Sequence, residues 1–233
     1  MAEDIAPGLL LRIRAVFRKK LENDEEIRRL SELIESGKAD YADAAEYARL
    51  CGQALSQAFE ENFTVQSLPN GKAYFNIADR VLRPMLEEDH SLIATAAQKV
   101  QESLNRKAGL TIKAQKAEAN EDRITGIIDK VSNAEQFEDV EWMLQRPVEN
   151  FSLNIVDESI RKNVEFQGRA GLRPVVRRKA PGYCCEWCRS LVGEYEYPKV
   201  PKDVYRRHED CRCSVTYDPG DGRRQNDWSK RWG

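Results

Sequence analysis

The chain has 233 residues, of which 41% are apolar, 8% aromatic and 33% charged. This length fits one large or two small domains, with enough apolar residues to close a helical core. The 37 basic and 39 acidic residues give a formal net charge of −2, which excludes a uniformly basic nucleic-acid-binding protein. No apolar run approaches the ~20 residues that span a bilayer, and the acidic start lacks the basic region of a secretory signal. We therefore expect folding in a reducing cytoplasm and no membrane partner.

Helical periodicity fills the first two thirds of the chain. Apolar residues at three- and four-residue steps predict a helix over residues 8–21, and they are Leu10, Ile13, Phe17 and Leu21. Further helices are predicted over residues 24–36, 41–63, 75–106 and 121–132. Pro84 should kink or divide the helix predicted over residues 75–106, because proline removes a backbone donor and clashes with the preceding turn.

Between residues 132 and 171 we expect two more helices. Ser132 and Glu135 have the spacing of a capping box, which predicts a helix that begins there and ends before Pro147. The next helix is predicted to end between residues 168 and 171, and its apolar positions are Phe151, Ile155, Ile160 and Val164.

The pattern changes after Gly171 to short runs with strand character, over residues 174–180, 194–197 and 213–217. The sequence therefore predicts an α+β protein. Residues 1–170 form a mostly α-helical body, and residues 171–233 form a small β-rich metal-binding knuckle with a basic, aromatic tail. Charge divides similarly: residues 1–158 hold 20 basic and 29 acidic residues, and residues 159–233 hold 17 and 10.

Two clusters of metal-ligating residues lie in the knuckle, separated by 19 residues: Cys184-Cys185-Glu186-Trp187-Cys188 and His208-Glu209-Asp210-Cys211-Arg212-Cys213. Zinc favours four tetrahedral sulfur and nitrogen ligands, and a Cys-x2-Cys pair can bind one ion from a single turn. A loop of about 20 residues between two half-sites is typical of zinc ribbons. Because the knuckle has few large apolar residues, a metal would supply folding free energy on the order of 10 kcal/mol.

The number of candidate donors exceeds the four positions of a zinc site. We predict a structural Zn²⁺ whose ligands are Cys185, Cys188 and His208 with one or both of Cys211 and Cys213, while Cys184 is the spare thiol. The alternative is a pair of disulfides or a group of free thiols. Intracellular synthesis argues against disulfides, and the tight spacing argues against chance.

A catalytic metal would need an open coordination position and a nearby acid or base. Glu186, Glu209 and Asp210 are close in sequence, but each fits a solvated turn residue. A closed, structural site is therefore the prediction, and we expect no enzyme activity.

Cys185-x2-Cys188 followed by Gly193, and then His208-x2-Cys211-Arg-Cys213, resembles the C-terminal signature of phage minor head proteins of the Mu F-like head-morphogenesis family. The resemblance is specific over about residues 176–222 and loose from residue 120 onward. Glu209 stands where the family has proline, which loosens the turn that presents the histidine. The toxin and ADP-ribosyltransferase domains that follow the signature in some members are expected to be absent.

The resemblance implies a component of the virion, inside the capsid near the portal vertex, after assembly in the host cytoplasm. It implies the portal protein as a partner, possible contacts with scaffold or major capsid protein and with double-stranded DNA, and a role in head morphogenesis, DNA packaging or DNA ejection. The resemblance also places Cys185, Cys188, His208, Cys211 and Cys213 on positions of the family's signature that look invariant.

Basic residues surround the metal-ligating clusters. Those predicted to contact DNA or an acidic partner are Arg177, Arg178, Lys179, Arg206, Arg207 and Arg212 and, in the tail, Arg223, Arg224 and Trp228. Lysine and arginine neutralise phosphates, and tryptophan stacks on exposed bases. The alternative is that these residues form a solvated surface.

Two other residues stand apart from this region. His90 is predicted to lie on a helix surface, and Cys51, among alanine and leucine residues, is predicted to be a buried small residue.

Two other functions are compatible with the sequence. The first is a zinc-ribbon nucleic-acid-binding protein that acts outside a virion. The second is a metal-dependent nuclease with His208 as the base, which is disfavoured because His208 is needed as a ligand.

Overall fold

The computed structural model describes residues 4–182, 184–208 and 211–219. The helices of the body are α1 (Ala6–Asn23), α2 (Glu25–Glu35), α3 (Tyr41–Asn62), α4 (Phe75–Lys107), α5 (Glu121–Asn133) and α6 (Arg146–Arg169). They are followed by β1 (Val175–Lys179), the short helix α7 (Glu186–Ser190), β2 (Gly193–Glu196) and β3 (Ser214–Asp218). This order confirms the predicted α+β class, with a helical body and a small β-rich segment after it. None of the helices in these described ranges is long and apolar enough to cross a bilayer.

The first three helices begin and pack as their sequence pattern predicts. On α1 the buried apolar stripe includes Leu9, Ile13 and Phe17. The Asp24 carboxylate accepts hydrogen bonds from two backbone amides in the first turn of α2. Asp40 forms a capping box with Asp43 at the start of α3. Each such cap stabilises its helix by about 1 kcal/mol.

Helix α4 continues through Pro84 as one helix of 33 residues, so the predicted division at this proline is wrong. An internal proline costs a helix about 3 kcal/mol. Here the residues on both sides of it, Val81, Leu82, Met85 and Leu86, are fully buried. Their packing against the rest of the core offsets this cost and keeps α4 continuous through the proline.

The prediction that a helix begins at Ser132 is also wrong. Ser132 lies in the last turn of α5, where its hydroxyl donates to the backbone oxygen of Asp129. The chain then forms two short 3-10 turns, Phe137–Asp139 and Glu141–Leu144. Pro147, expected to follow the end of a helix, instead occupies the first turn of α6, where proline is well tolerated.

His90 is 9% exposed, so the prediction of a surface position is wrong. The physical reason is that residues 110–120 cross this side of α4, and the backbone of Glu118 contacts the His90 ring. Burial lowers the pKa of His90. The prediction for Cys51 is confirmed, because this thiol is fully buried on α3.

The three predicted strands form an antiparallel sheet in the order β2-β1-β3. Val176 on the central strand is opposite Tyr195 on one side and Tyr217 on the other. The side chains of Val176, Val215 and Tyr217 belong to the same buried core as the helices. The sheet therefore packs directly on the body, while the boundary near residue 170 stays a prediction.

A buried chain of polar side chains also joins the sheet to the body. The Tyr217 hydroxyl donates to Gln167 on α6, and the Gln167 amide donates to Asn105 on α4 at 2.8 Å. The Gln101 amide donates to the same Asn105 oxygen at 2.7 Å, and Tyr41 donates to Gln101 at 2.8 Å. Because such groups are costly to bury without partners, this network fixes the position of β3 against α3, α4 and α6.

Candidate metal centre

The first half-site consists of Cys185 and Cys188 and is built on the single turn of α7. Cys185 is the residue before this turn, and its sulfur accepts a hydrogen bond from the Cys188 backbone amide at 3.3 Å. The turn places the Cys188 side chain inward, where it is buried, and leaves Cys185 exposed. An amide that donates to sulfur favours the thiolate, and it lowers the pKa of Cys185.

The second half-site consists of His208, Cys211 and Cys213, which lie in the segment before β3. The His208 Nε2 atom lies 3.0 Å from the Cys188 sulfur and 3.3 Å from the Cys185 sulfur. The sulfurs of Cys188 and Cys211 are 3.6 Å apart. Two ligands of a tetrahedral zinc ion, each at about 2.3 Å, are separated by roughly 3.8 Å. The separation of the Cys188 and Cys211 sulfurs is therefore close to that of a metal-bound pair, whereas His208 Nε2 lies closer to its two cysteine sulfurs than ligands of one ion do.

All five predicted donors are brought together by the fold. Within each of two groups the ligand atoms lie within 4.8 Å of one another, and the groups are Cys185 with Cys188 and His208, and Cys188 with Cys211 and Cys213. Cys188 belongs to both and is the centre of the cluster. Cys184 packs beside the buried thiols but belongs to neither group. The arrangement can hold a metal ion.

The protonation of these thiols is linked to ion binding. Burial raises the pKa of the Cys188 and Cys213 thiols. Metal coordination requires thiolates, so an ion that binds these sulfurs must displace protons. Binding is therefore expected to weaken as the pH falls.

Arg178 is 1% exposed, and its predicted contact with DNA or a partner is therefore wrong. One guanidinium nitrogen, Nη2, lies 3.6 Å from the Cys188 sulfur and 3.5 Å from the Cys211 sulfur. The other, Nη1, donates to the backbone oxygens of Val204 and Arg206 at 2.6 and 2.8 Å. When these sulfurs are thiolates, as metal coordination requires, the buried cation offsets their negative charge.

Arg207 is also buried, which corrects its predicted role at a binding surface. Its side chain is 4% exposed and forms an ion pair with the fully buried Asp157 of α6, with Nη2 2.9 Å from Asp157 Oδ1. Its Nη1 donates to the backbone oxygen of Cys213 at 2.7 Å. The backbone oxygen of the adjacent His208 accepts from Asn150 on α6 at 3.0 Å. The second half-site is thus attached directly to the helical body.

The other predicted contact residues have different surroundings. Arg177 pairs with Glu194 and Asp218, and Arg206 pairs with Asp203. Lys179 and Arg212 are exposed and have no carboxylate partner among the described residues. Arg223, Arg224 and Trp228, together with Glu209 and Asp210, lie outside the described residues.

Trp187 is a residue of this site that the sequence analysis did not single out. It is 37% exposed, its ring is edge-on to His208 with centroids 5.8 Å apart, and the Arg178 guanidinium lies 5.4 Å from its centroid. Its position between Cys185 and Cys188 was the available signal, because a residue inside a Cys-x2-Cys turn lies beside both cysteine side chains.

Comparison with known proteins gives no further assignment. No family model, curated protein or solved structure matches this chain.

Proposed function

We propose that this protein is a minor head protein of a tailed phage or prophage whose C-terminal knuckle is held by one structural Zn²⁺. The observation that carries the proposal is the convergence of Cys185, Cys188, His208, Cys211 and Cys213 from two distant segments. These are the residues on which the resemblance to Mu F-like head proteins rests. Zinc suits a donor set of thiolates and one imidazole better than harder cations do.

The proposed role is positional. Zinc would fix the loop between the two half-sites, and the hydrogen bonds of Arg207 and Asn150 would hold that loop against α6. The helical body would then dock on the portal protein inside the capsid, with possible contacts to scaffold or major capsid protein. The knuckle would stay available to double-stranded DNA or neighbouring subunits during packaging or ejection.

The experiment is to purify mature heads and assay them for this chain and for zinc. We expect the chain to be in the heads, to co-purify with portal protein, and to carry one zinc per chain. Its presence in infected cells but absence from purified heads would contradict the proposal.

A second candidate function is nucleic-acid binding outside a virion. It is favoured by the exposed cations Lys179, Arg189 and Arg212, which have no carboxylate partner among the described residues, and by the exposed ring of Trp187. In this case gel shifts should weaken steeply with salt. Failure to bind DNA or RNA at low salt would remove this candidate.

A further inference from the structure

A cleft of about 330 Å³ lies on the helical body between the C-terminal end of α3 and the 3-10 turns that precede α6. Its walls include Phe59, Phe63 and Phe137, which are buried in the core. The rings of Phe63 and Phe137 meet edge to face, with centroids 5.1 Å apart. The volume is at the lower end of the range of about 300–1,000 Å³ for ligand pockets, so the cleft suits one large side chain.

The rim of this cleft is acidic. Glu60, Glu138 and Glu141 are exposed there, and none of them has an ion-pair partner among the residues that the structure describes. The described lining residues include no lysine or arginine. Aromatic walls beneath unpaired carboxylates are complementary to an aromatic side chain flanked by cations.

The sequence of this same chain contains such a segment. Residues 223–232 read Arg-Arg-Gln-Asn-Asp-Trp-Ser-Lys-Arg-Trp, with four cations, one acid and two tryptophans. Trp232 directly follows two cations, Lys230 and Arg231, whereas Trp228 directly follows the acidic residue Asp227. Of the two, Trp232 therefore has the better charge match to the glutamate rim.

The chain length also favours Trp232. Strand β3 brings Tyr217 to within 6.1 Å of Tyr41, measured between ring centroids, at the start of α3. The cleft lies near Phe59, 18 residues along that helix, or about 27 Å away at 1.5 Å per residue. At roughly 3.3–3.6 Å per residue, the chain from Asp218 to Trp228 spans at most about 36 Å, and to Trp232 about 50 Å. On these lengths both tryptophans are within reach of the cleft, and Trp232 reaches it with more slack than Trp228.

We propose that the cleft bounded by Phe63, Phe137 and Glu138 is the docking site of the chain's own basic, aromatic tail, with Trp232 as the anchor. Lys230 and Arg231 then face the glutamate rim. The docked tail is withheld from DNA and from partner proteins until one of them competes for it. This inference does not depend on the proposed metal ion or on the proposed role in a phage head.

The test uses the full chain labelled with 5-fluorotryptophan, so that each tryptophan gives a ¹⁹F resonance that a Trp→Phe variant assigns. A soluble paramagnetic agent then reports the exposure of each ring. We expect Trp232 to be protected relative to Trp228 and to lose this protection in Glu138→Lys/Glu141→Lys. The matched control is Glu22→Lys/Asp129→Lys, which reverses two exposed acids outside the cleft and should leave Trp232 protected.

Hydrogen exchange gives a second readout that does not depend on charge reversal. Trp232→Ala should accelerate amide exchange in residues 59–66 and 137–145 by about tenfold, which corresponds to ~1.4 kcal/mol of docking free energy. Trp228→Ala should have a much smaller effect.

Three results would overturn the proposal. The first is a Trp232 ring as accessible as that of Trp228, with no change in exchange at the cleft in Trp232→Ala. The second is protection that disappears on dilution together with a dimeric mass, which would assign the cleft to a second copy. The third is protection of Trp232 only after duplex DNA is added, which would assign the tail to nucleic acid.

Discussion

Arg207 and Asp157 form a buried ion pair between the segment that carries the second half-site and helix α6. The pair spans 50 residues of sequence and is hydrogen-bonded through both carboxylate oxygens. Arg207 also donates to the backbone oxygen of Cys213. One side chain therefore connects a candidate metal ligand to the core of the helical body.

Removal of one member of this pair should strongly destabilise the protein. We expect Asp157→Asn to lower the free energy of unfolding by about 3–5 kcal/mol, because it leaves the Arg207 cation buried without its counter-ion. The matched control is the exposed pair between Arg206 and Asp203. Asp203→Asn should change stability by no more than about 0.5 kcal/mol. Urea unfolding of both variants measures the difference, and equal effects would contradict this account of the pair.

Arg178 should tune metal affinity without being a ligand. Loss of residues that contact ligand atoms around a metal typically lowers affinity by about 10–100-fold. We expect Arg178→Met to weaken metal binding within that range, and Arg178→Lys to recover part of the loss because it keeps the positive charge. Competition with a chromophoric chelator gives the affinities. An unchanged metal affinity in Arg178→Met would show that the contacts of Arg178 with the Cys188 and Cys211 sulfurs do not contribute to metal binding.

Asp89 should make stability depend on pH. It is fully buried; one oxygen accepts from the Ser152 hydroxyl at 2.6 Å, and the other has no partner among the described residues. Burial raises its pKa from 3.8 to about 7. Between about pH 4 and pH 7 the folded protein therefore keeps a proton that the unfolded chain has lost, so stability falls as the pH rises through this window.

The variant Asp89→Asn removes this titration. The rise of about three units in the pKa of Asp89 corresponds to a change of at most roughly 4 kcal/mol in the unfolding free energy. We expect the difference in unfolding free energy between pH 5 and pH 8 to shrink in Asp89→Asn by a measurable part of that amount. The exposed Asp129→Asn is the control and should leave the pH profile unchanged. A wild-type protein whose unfolding free energy changes between pH 5 and pH 8 by the same amount as that of Asp89→Asn would refute the assignment.

Replacement by alanine should change the stability of the protein in opposite directions at two helical glycines, Gly52 and Gly126. A Cβ atom at Gly52 would lie 2.9 Å from the Glu149 Cα and 2.7 Å from the Ser152 hydroxyl, where α3 meets α6. Gly52→Ala should therefore cost about 1–3 kcal/mol. A Cβ at Gly126 on α5 meets nothing within 4 Å among the described residues. Gly126→Ala should stabilise by about 0.5–1 kcal/mol. Thermal unfolding compares the two, and a stabilised Gly52→Ala would mean that the helices are farther apart.

The sequence predicted those features that depend on local spacing. The helical stripe of α1, the alternation of β1 and β3, and the two donor clusters each lie within a few consecutive turns or residues. The helix expected at Ser132 did not form, because the pattern could not show that its hydroxyl is used inside α5. Pro84 was overridden by the packing of the residues beside it.

The two arginines were misassigned because composition shows charge but not orientation. For Arg178 a usable signal existed. Alternate residues of a strand face the same side, so an inward Val176 places Arg178 inward as well, which the burial of both residues bears out. No comparable signal existed for Arg207, because its partner Asp157 lies 50 residues away on α6 and only the tertiary fold brings them together.

Metal analysis of the purified full chain is the most direct test of the central claim. We expect one zinc ion per chain; a chelator should release it, lower the thermal midpoint and accelerate hydrogen exchange in residues 185–213. Cys188→Ser should lose the ion, whereas Cys184→Ser should keep it. A chain that binds no zinc, and whose stability and exchange are unchanged by the chelator, would contradict the account.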